Sequence, residues 1–115
     1  MFSQKEAENL AIDFLINDWE IPQTEKDWFT IRYAKQESSW YIVEVGIKGC
    51  PDYWILQVYD TGECDPCYTF VSPLSSSEDT DNLQELPESI TNMISLERSS
   101  QEMAFPAKIG TILKL

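Results

Sequence analysis

Residues 40–59, Trp-Tyr-Ile-Val-Glu-Val-Gly-Ile-Lys-Gly-Cys-Pro-Asp-Tyr-Trp-Ile-Leu-Gln-Val-Tyr, decide the fold of this chain. The runs 40–47 and 53–59 are rich in β-branched and aromatic residues, which pack well on a pleated surface. Each run alternates with a period of two. In the first, Tyr41, Val43, Val45 and Ile47 share one face and Trp40, Ile42, Glu44 and Gly46 the other. In the second, Trp54, Leu56 and Val58 oppose Tyr53, Ile55, Gln57 and Tyr59. Between them, Lys48-Gly49-Cys50-Pro51-Asp52 carries the Gly and Pro of a turn. A short turn between two strands predicts an antiparallel pair.

Working outward, residues 28–34 read as a preceding strand. Phe29, Ile31 and Tyr33 face one way and Thr30 and Arg32 the other, with a polar turn at Gln36 to Ser39. After the pair, Asp60-Thr61-Gly62-Glu63 suits a hairpin turn, since Gly accepts a left-handed backbone. Residues 67–71 make a short fourth strand. Before the sheet, residues 3–17 read as a helix. Ser3 and Glu6 form an S-x-x-E capping box, and Ala7, Leu10, Ala11, Phe14 and Leu15 make an apolar stripe widened by Ile12 and Ile16. Pro22 bars its continuation, and Trp19 and Ile21 pack at the exit. After the sheet comes a polar, acidic loop at 72–86. A second helix is expected near 87–97, with Pro87 at its first position and Arg98 and Ser99-Ser100 ending it. Ile109 to Leu115 is expected to close the sheet with a further strand.

The expectation is one domain over residues 1–115, of α+β class. An N-terminal helix packs on a four- to five-stranded antiparallel meander, with a second short helix near the C-terminus.

Charge bounds the function. Twenty acids oppose eight bases, a net charge of −12. From residue 49 to residue 97 there is no base, but there are ten acids: Asp52, Asp60, Glu63, Asp65, Glu78, Asp79, Asp81, Glu85, Glu88 and Glu97. Such a surface repels phosphate backbones and anionic membranes, so neither nucleic acid nor membrane is expected as a partner. A basic protein is the partner that this field would attract. No histidine occurs, which removes Ser–His and Cys–His nucleophile pairs. No window holds eighteen apolar residues, and the first residues lack a signal peptide's apolar run. Three cysteines, an odd number, suit a reducing compartment, and a cytoplasmic location is expected.

Two cysteine-based chemistries enter as alternatives. Cys64-Asp65-Pro66-Cys67 resembles the redox motif of thioredoxin-like proteins, which needs its first sulfur at a helix N-terminus. Here β-prone residues follow instead, and Glu63 and Asp65 disfavour a thiolate. Cys50, Cys64 and Cys67, with Asp65 or Glu63, present a second possibility, zinc. Structural zinc sites take four Cys or His ligands, a set this chain lacks, so no metal or cofactor is expected. Glu44, mid-strand among apolar residues, is expected to face solvent or to pair with Arg32 across the strands. Trp28, Trp40, Tyr53, Ile55 and Tyr59 collect on the sheet face away from the first helix. A sheet that is apolar on both sides is either covered twice or used for binding.

The order helix, Trp40-Tyr41-Ile42-Val43-Glu44-Val45, then a strand ending in Val58-Tyr59-Asp60-Thr61-Gly62-Glu63, resembles small helix-plus-curled-sheet domains of PepSY type and of some bacterial toxin-immunity proteins. The resemblance covers residues 5–70. It implies a non-enzymatic binder or inhibitor, and it carries over no binding residue, because those families read partners through variable surfaces. The expected function is therefore an inhibitor- or immunity-type module docking a basic protein. Glu78, Asp79, Asp81, Glu85 and Glu88 would steer the encounter, with Trp40 and Tyr53 as anchors. A small-molecule pocket between helix and sheet is the first alternative. A thiol redox or metal protein using Cys64 and Cys67 is the second.

Overall fold

The computed structural model describes residues 3–66, 68–73, 83 and 85–104. Cys67, Glu78, Asp79, Asp81, most of the acidic loop and the expected closing strand at 109–115 lie outside them. The chain divides into two compact units, Met1–Val71 and Ser72–Leu115.

The first unit opens with helix α1, Gln4–Asp18. Its start is the capping box read from the sequence. The Glu6 amide donates to Ser3 Oγ at 3.2 Å, and the Ser3 amide donates to Glu6 Oε1 at 2.7 Å. Two otherwise unsatisfied N–H groups are paired in this way. The buried stripe is Ala7, Ala11, Ile12, Leu15 and Ile16. It is centred further round the helix than expected, leaving Leu10 and Phe14 half-buried at its margin. There they meet the chain that leaves the third strand: Cys64 Sγ lies 3.7 Å from the Leu10 carbonyl, and the Phe14 and Tyr68 rings meet edge to face at 6.2 Å.

The helix ends in a Schellman motif. Ile21 N–H donates to the Ile16 carbonyl at 2.8 Å and Glu20 N–H to the Asn17 carbonyl at 3.3 Å. Glu20 takes the left-handed conformation, φ 56°, that this position demands and that glycine usually supplies. Ile16 and Ile21 are both buried, the apolar contact that accompanies the motif. A 3₁₀ segment, Gln23–Trp28, follows Pro22 and is tied back to α1 by Lys26 Nζ and Asp13 Oδ1 at 2.7 Å.

Four strands form an antiparallel meander in the order β1-β2-β3-β4: β1 Phe29–Gln36, β2 Trp40–Ile47, β3 Tyr53–Tyr59 and β4 Thr69–Val71. The class is α+β, as the sequence indicates. α1 packs across β1, β2 and β3. The face it covers is the one carrying Val43, Val45, Trp54, Leu56 and Val58, each with no exposed surface. Trp54 is the largest of these, and its ring lies 5.2 Å from that of Phe70 on β4.

β1 departs from simple alternation. Ile31 pairs with Val45, but Tyr33 pairs with Glu44, so an extra residue bulges out at Arg32. A bulge of one residue reverses the parity of everything after it. Tyr33 therefore leaves the face expected to hold it with Phe29 and Ile31 and stands 48% exposed on the other side. Without the bulge Lys35, two residues on, would also have pointed into the core.

The fourth strand starts at Thr69, later than the sequence suggests. Cys64 makes only an isolated bridge with Val58, and Asp65 N–H donates to the Gln57 carbonyl at 2.9 Å. Pro66 then offers no N–H to continue the ladder.

In the second unit, helix α2 spans Glu88–Ala104. Pro87 precedes it, and the Pro87 carbonyl accepts the first helical bond from Thr91 N–H at 2.9 Å. Thr91 Oγ1 donates to the Leu83 carbonyl at 3.1 Å, fastening the approach to the helix. α2 does not stop at Arg98. Serine is only mildly unfavourable in a helix, and the first strong breaker downstream is Pro106. Ile90, Met93, Ile94 and Arg98 form one buried stripe along it. Arg98 thus belongs to the interior of the helix.

Candidate interaction face of the sheet

Direct partners across strands share a face. The face away from α1 is therefore assembled in rows: Thr30, Gly46, Tyr53 and Val71; then Tyr33, Glu44, Ile55 and Thr69; then Lys35, Ile42 and Gln57; and last Trp40 and Tyr59. Trp40, Ile42, Glu44, Tyr53, Ile55 and Tyr59 are all half-buried, and Tyr33 is exposed. Rings and branched aliphatics predominate, with one carboxylate at the centre.

Each end of the face is pinned. At one end the Arg32 guanidinium lies over the Tyr53 ring, 3.9 Å from its centroid, and Arg32 Nη1 donates to the Pro51 carbonyl at 3.2 Å. Alternation already places Arg32 on this side with Thr30; the bulge sets Tyr33 in its place opposite Glu44, and the expected pairing of Arg32 with Glu44 does not form. At the other end Trp40 and Tyr59 stand directly opposite each other, and Tyr59 OH donates to Asp65 Oδ2 at 3.0 Å.

Trp40 and Tyr53 thus occupy the same face but its two ends, about 20 Å apart along β2 at about 3.3 Å per residue. One side of the Tyr53 ring is already occupied by this chain's own cation. Tyr33, which simple alternation would set beside Phe29 and Ile31, is the most exposed ring of the set. Its signal in the sequence is Lys35: unbroken alternation from Phe29 would bury a lysine. Trp28 ends the 3₁₀ segment and stands apart from the face, beside a small hollow of about 140 Å³ shared with Asp27 and Lys48.

The acids disperse. Glu85 and Glu88 are exposed in the second unit, just before and at the start of α2, and Asp60 and Glu63 are exposed in the turn after β3. Asp52 has no exposed surface and is withdrawn from the outer charge.

Cys64 sits beside an open groove of about 420 Å³ lined by Leu10, Asp13, Phe14, Asn17 and Glu63. Burial pushes its thiol from the ordinary 9.0 up to about 11. A thiol that holds its proton this firmly is a poor nucleophile, and Cys64 lies in a β-bridge, away from any helix N-terminus. Its expected redox partner, Cys67, is outside the described residues. Among the described residues no three Cys, Asp or Glu side chains gather in a way that could hold a metal ion. Among the same residues no helix is long and apolar enough to cross a membrane. No family model matches the chain, and comparison with curated proteins and with solved structures likewise finds no match.

Proposed function

We propose that this protein is a small non-enzymatic binding module, of inhibitor or immunity type, that docks a basic protein through the outer face of its sheet. The observation that carries the reading is the set of half-exposed side chains Tyr33, Trp40, Ile42, Ile55 and Tyr59 on one face of the sheet. Large rings with few rotamers make good anchors, because they bury area at little entropic cost. The net charge of −12 supports a basic partner. Opposite charge speeds encounter, and the effect weakens with salt. The same charge argues against nucleic acid and anionic lipid. The thiol of Cys64 suits the reducing interior of a cell.

The test compares three immobilised forms: the native chain, the Tyr33→Ala/Trp40→Ala double variant, and Asn9→Ala on the exposed side of α1. The reading expects a basic protein held by the native chain and by Asn9→Ala. The double variant should lose at least about tenfold in affinity. Binding should also weaken as salt rises. A partner that all three forms retain equally, or one that is acidic and indifferent to salt, would refute it.

A further inference from the structure

We infer that Glu44 is the receptor for a cationic side chain, the ammonium of a lysine or the guanidinium of an arginine, presented by the docked partner. The inference rests on the outer sheet face being the docking surface. Glu44 occupies the middle of β2, a central strand, with Tyr33 directly opposite on one side and Ile55 on the other. It is half-buried. Among the described residues no hydrogen bond or ion pair engages its carboxylate.

Two cations of this chain lie on the same face, and both are committed elsewhere. Arg32 is stacked on Tyr53 and bonded to the Pro51 carbonyl. Lys35, diagonal to Glu44, turns to Glu37 at 3.8 Å. Docking a partner over this face removes water from Glu44. An ionised carboxylate buried without partners is strongly unfavourable, so a complex that covers Glu44 has to supply a donor, and a cation is the donor that also balances the charge. The surroundings suit one with an apolar stem. The methylenes of a lysine or arginine would lie on Ile42 and Ile55, and the charged head would meet both the carboxylate and the exposed Tyr33 ring. Screening is weaker at a half-buried carboxylate than at exposed acids such as Asp60, Glu63 and Glu85, which favours attraction there.

The probe is a tri-lysine peptide, titrated into the isotopically labelled full chain and followed by NMR. Trinorleucine, its uncharged counterpart, serves as the comparison. Tri-lysine should shift the signals of Tyr33, Glu44 and Ile55 saturably, and trinorleucine should not. Glu44→Gln keeps the shape of the side chain and should weaken tri-lysine binding by at least about fivefold, with the rest of the spectrum unchanged. Shifts confined to acids such as Asp60, Glu85 and Glu88, or equal binding by Glu44→Gln, would overturn the inference. A partner whose capture needs Tyr33 and Trp40 but tolerates Glu44→Gln would remove this inference and leave the docking face standing. A partner indifferent to all three positions would remove both.

Discussion

The Arg32 guanidinium rests 3.9 Å above the Tyr53 ring because the residue beside them, Gly46, has no side chain. A Cβ at Gly46 would come within 3.0 Å of Arg32 Cδ and 3.1 Å of its Cγ. Gly46→Ala should therefore push the Arg32 side chain aside by a few tenths of an ångström and loosen its stacking on Tyr53. Losing an exposed cation–π contact costs about 0.5–1 kcal/mol. Replacing glycine inside a strand recovers a similar amount, about 0.5–1 kcal/mol. The net change in urea unfolding should stay within about 1 kcal/mol, while the Tyr53 ring signals move as the guanidinium shifts. Unchanged ring signals would show that the arginine has room to spare.

Glu20 bears a left-handed backbone, φ 56°, without the residue type that adopts it freely. Glu20→Gly should stabilise the protein by about 1 kcal/mol by relieving that conformation. Glu20→Ala should bring no such gain, since alanine meets the same steric conflict. Denaturant midpoints of the three forms, compared at equal m-values, check this.

Trp54 has no exposed surface and packs beside Phe70. Trp54→Ala should cost about 3–5 kcal/mol, the range for emptying a site of that size. Trp54→Phe keeps a ring against Phe70 and should cost clearly less. Equilibrium unfolding of the two variants would show the difference, and equal losses would mean that the core collapses around either.

Cys64 makes stability depend on alkaline pH. Its folded-state thiol ionises near 11, above the ordinary 9.0 that applies to the unfolded chain. The unfolded chain therefore loses this proton first. The stability contribution is fully present below pH 9.0 and is lost as pH rises toward 11. Thiolate absorbance of the folded protein should titrate near the upper value, and Cys64→Ser should flatten the decline in stability between the two. A folded-state midpoint near the ordinary value would contradict the burial.

Much of this architecture can be read directly from the residues. The alternation in 40–47 and 53–59 holds because β2 and β3 are central strands, paired on both sides and buried on one face. Ser3 and Glu6 cap α1 because their interaction is local and needs nothing from the rest of the chain. What escapes the sequence depends on distant partners. Nothing around Arg32 marks a bulge until the cost of burying Lys35 is weighed, yet that bulge decides which side Tyr33 and Lys35 take. Glu20 adopts its turn because Ile16 and Ile21 bury together, a tertiary demand that overrides local preference. α2 runs past Arg98 because that residue joins the buried row of Ile90, Met93 and Ile94. Of the anchors expected, Trp40 sits on the outer face with one end free of this chain's cations, whereas Tyr53 is partly taken by Arg32. The loop acids Glu78, Asp79 and Asp81 are outside the described residues.

The connection after β3 is held from two directions. Tyr68 OH accepts from Trp19 Nε1 at 2.8 Å and donates to Asp18 Oδ2 at 2.7 Å, at the end of α1. Cys64 reaches the Leu10 carbonyl, and Asp65 is held by Tyr59. The first helix cannot lift from the sheet without releasing residues 64 and 68, and those residues cannot rearrange without loosening the helix. The two therefore breathe together, and the connection inherits the lifetime of the helix where an ordinary surface turn would fluctuate on its own.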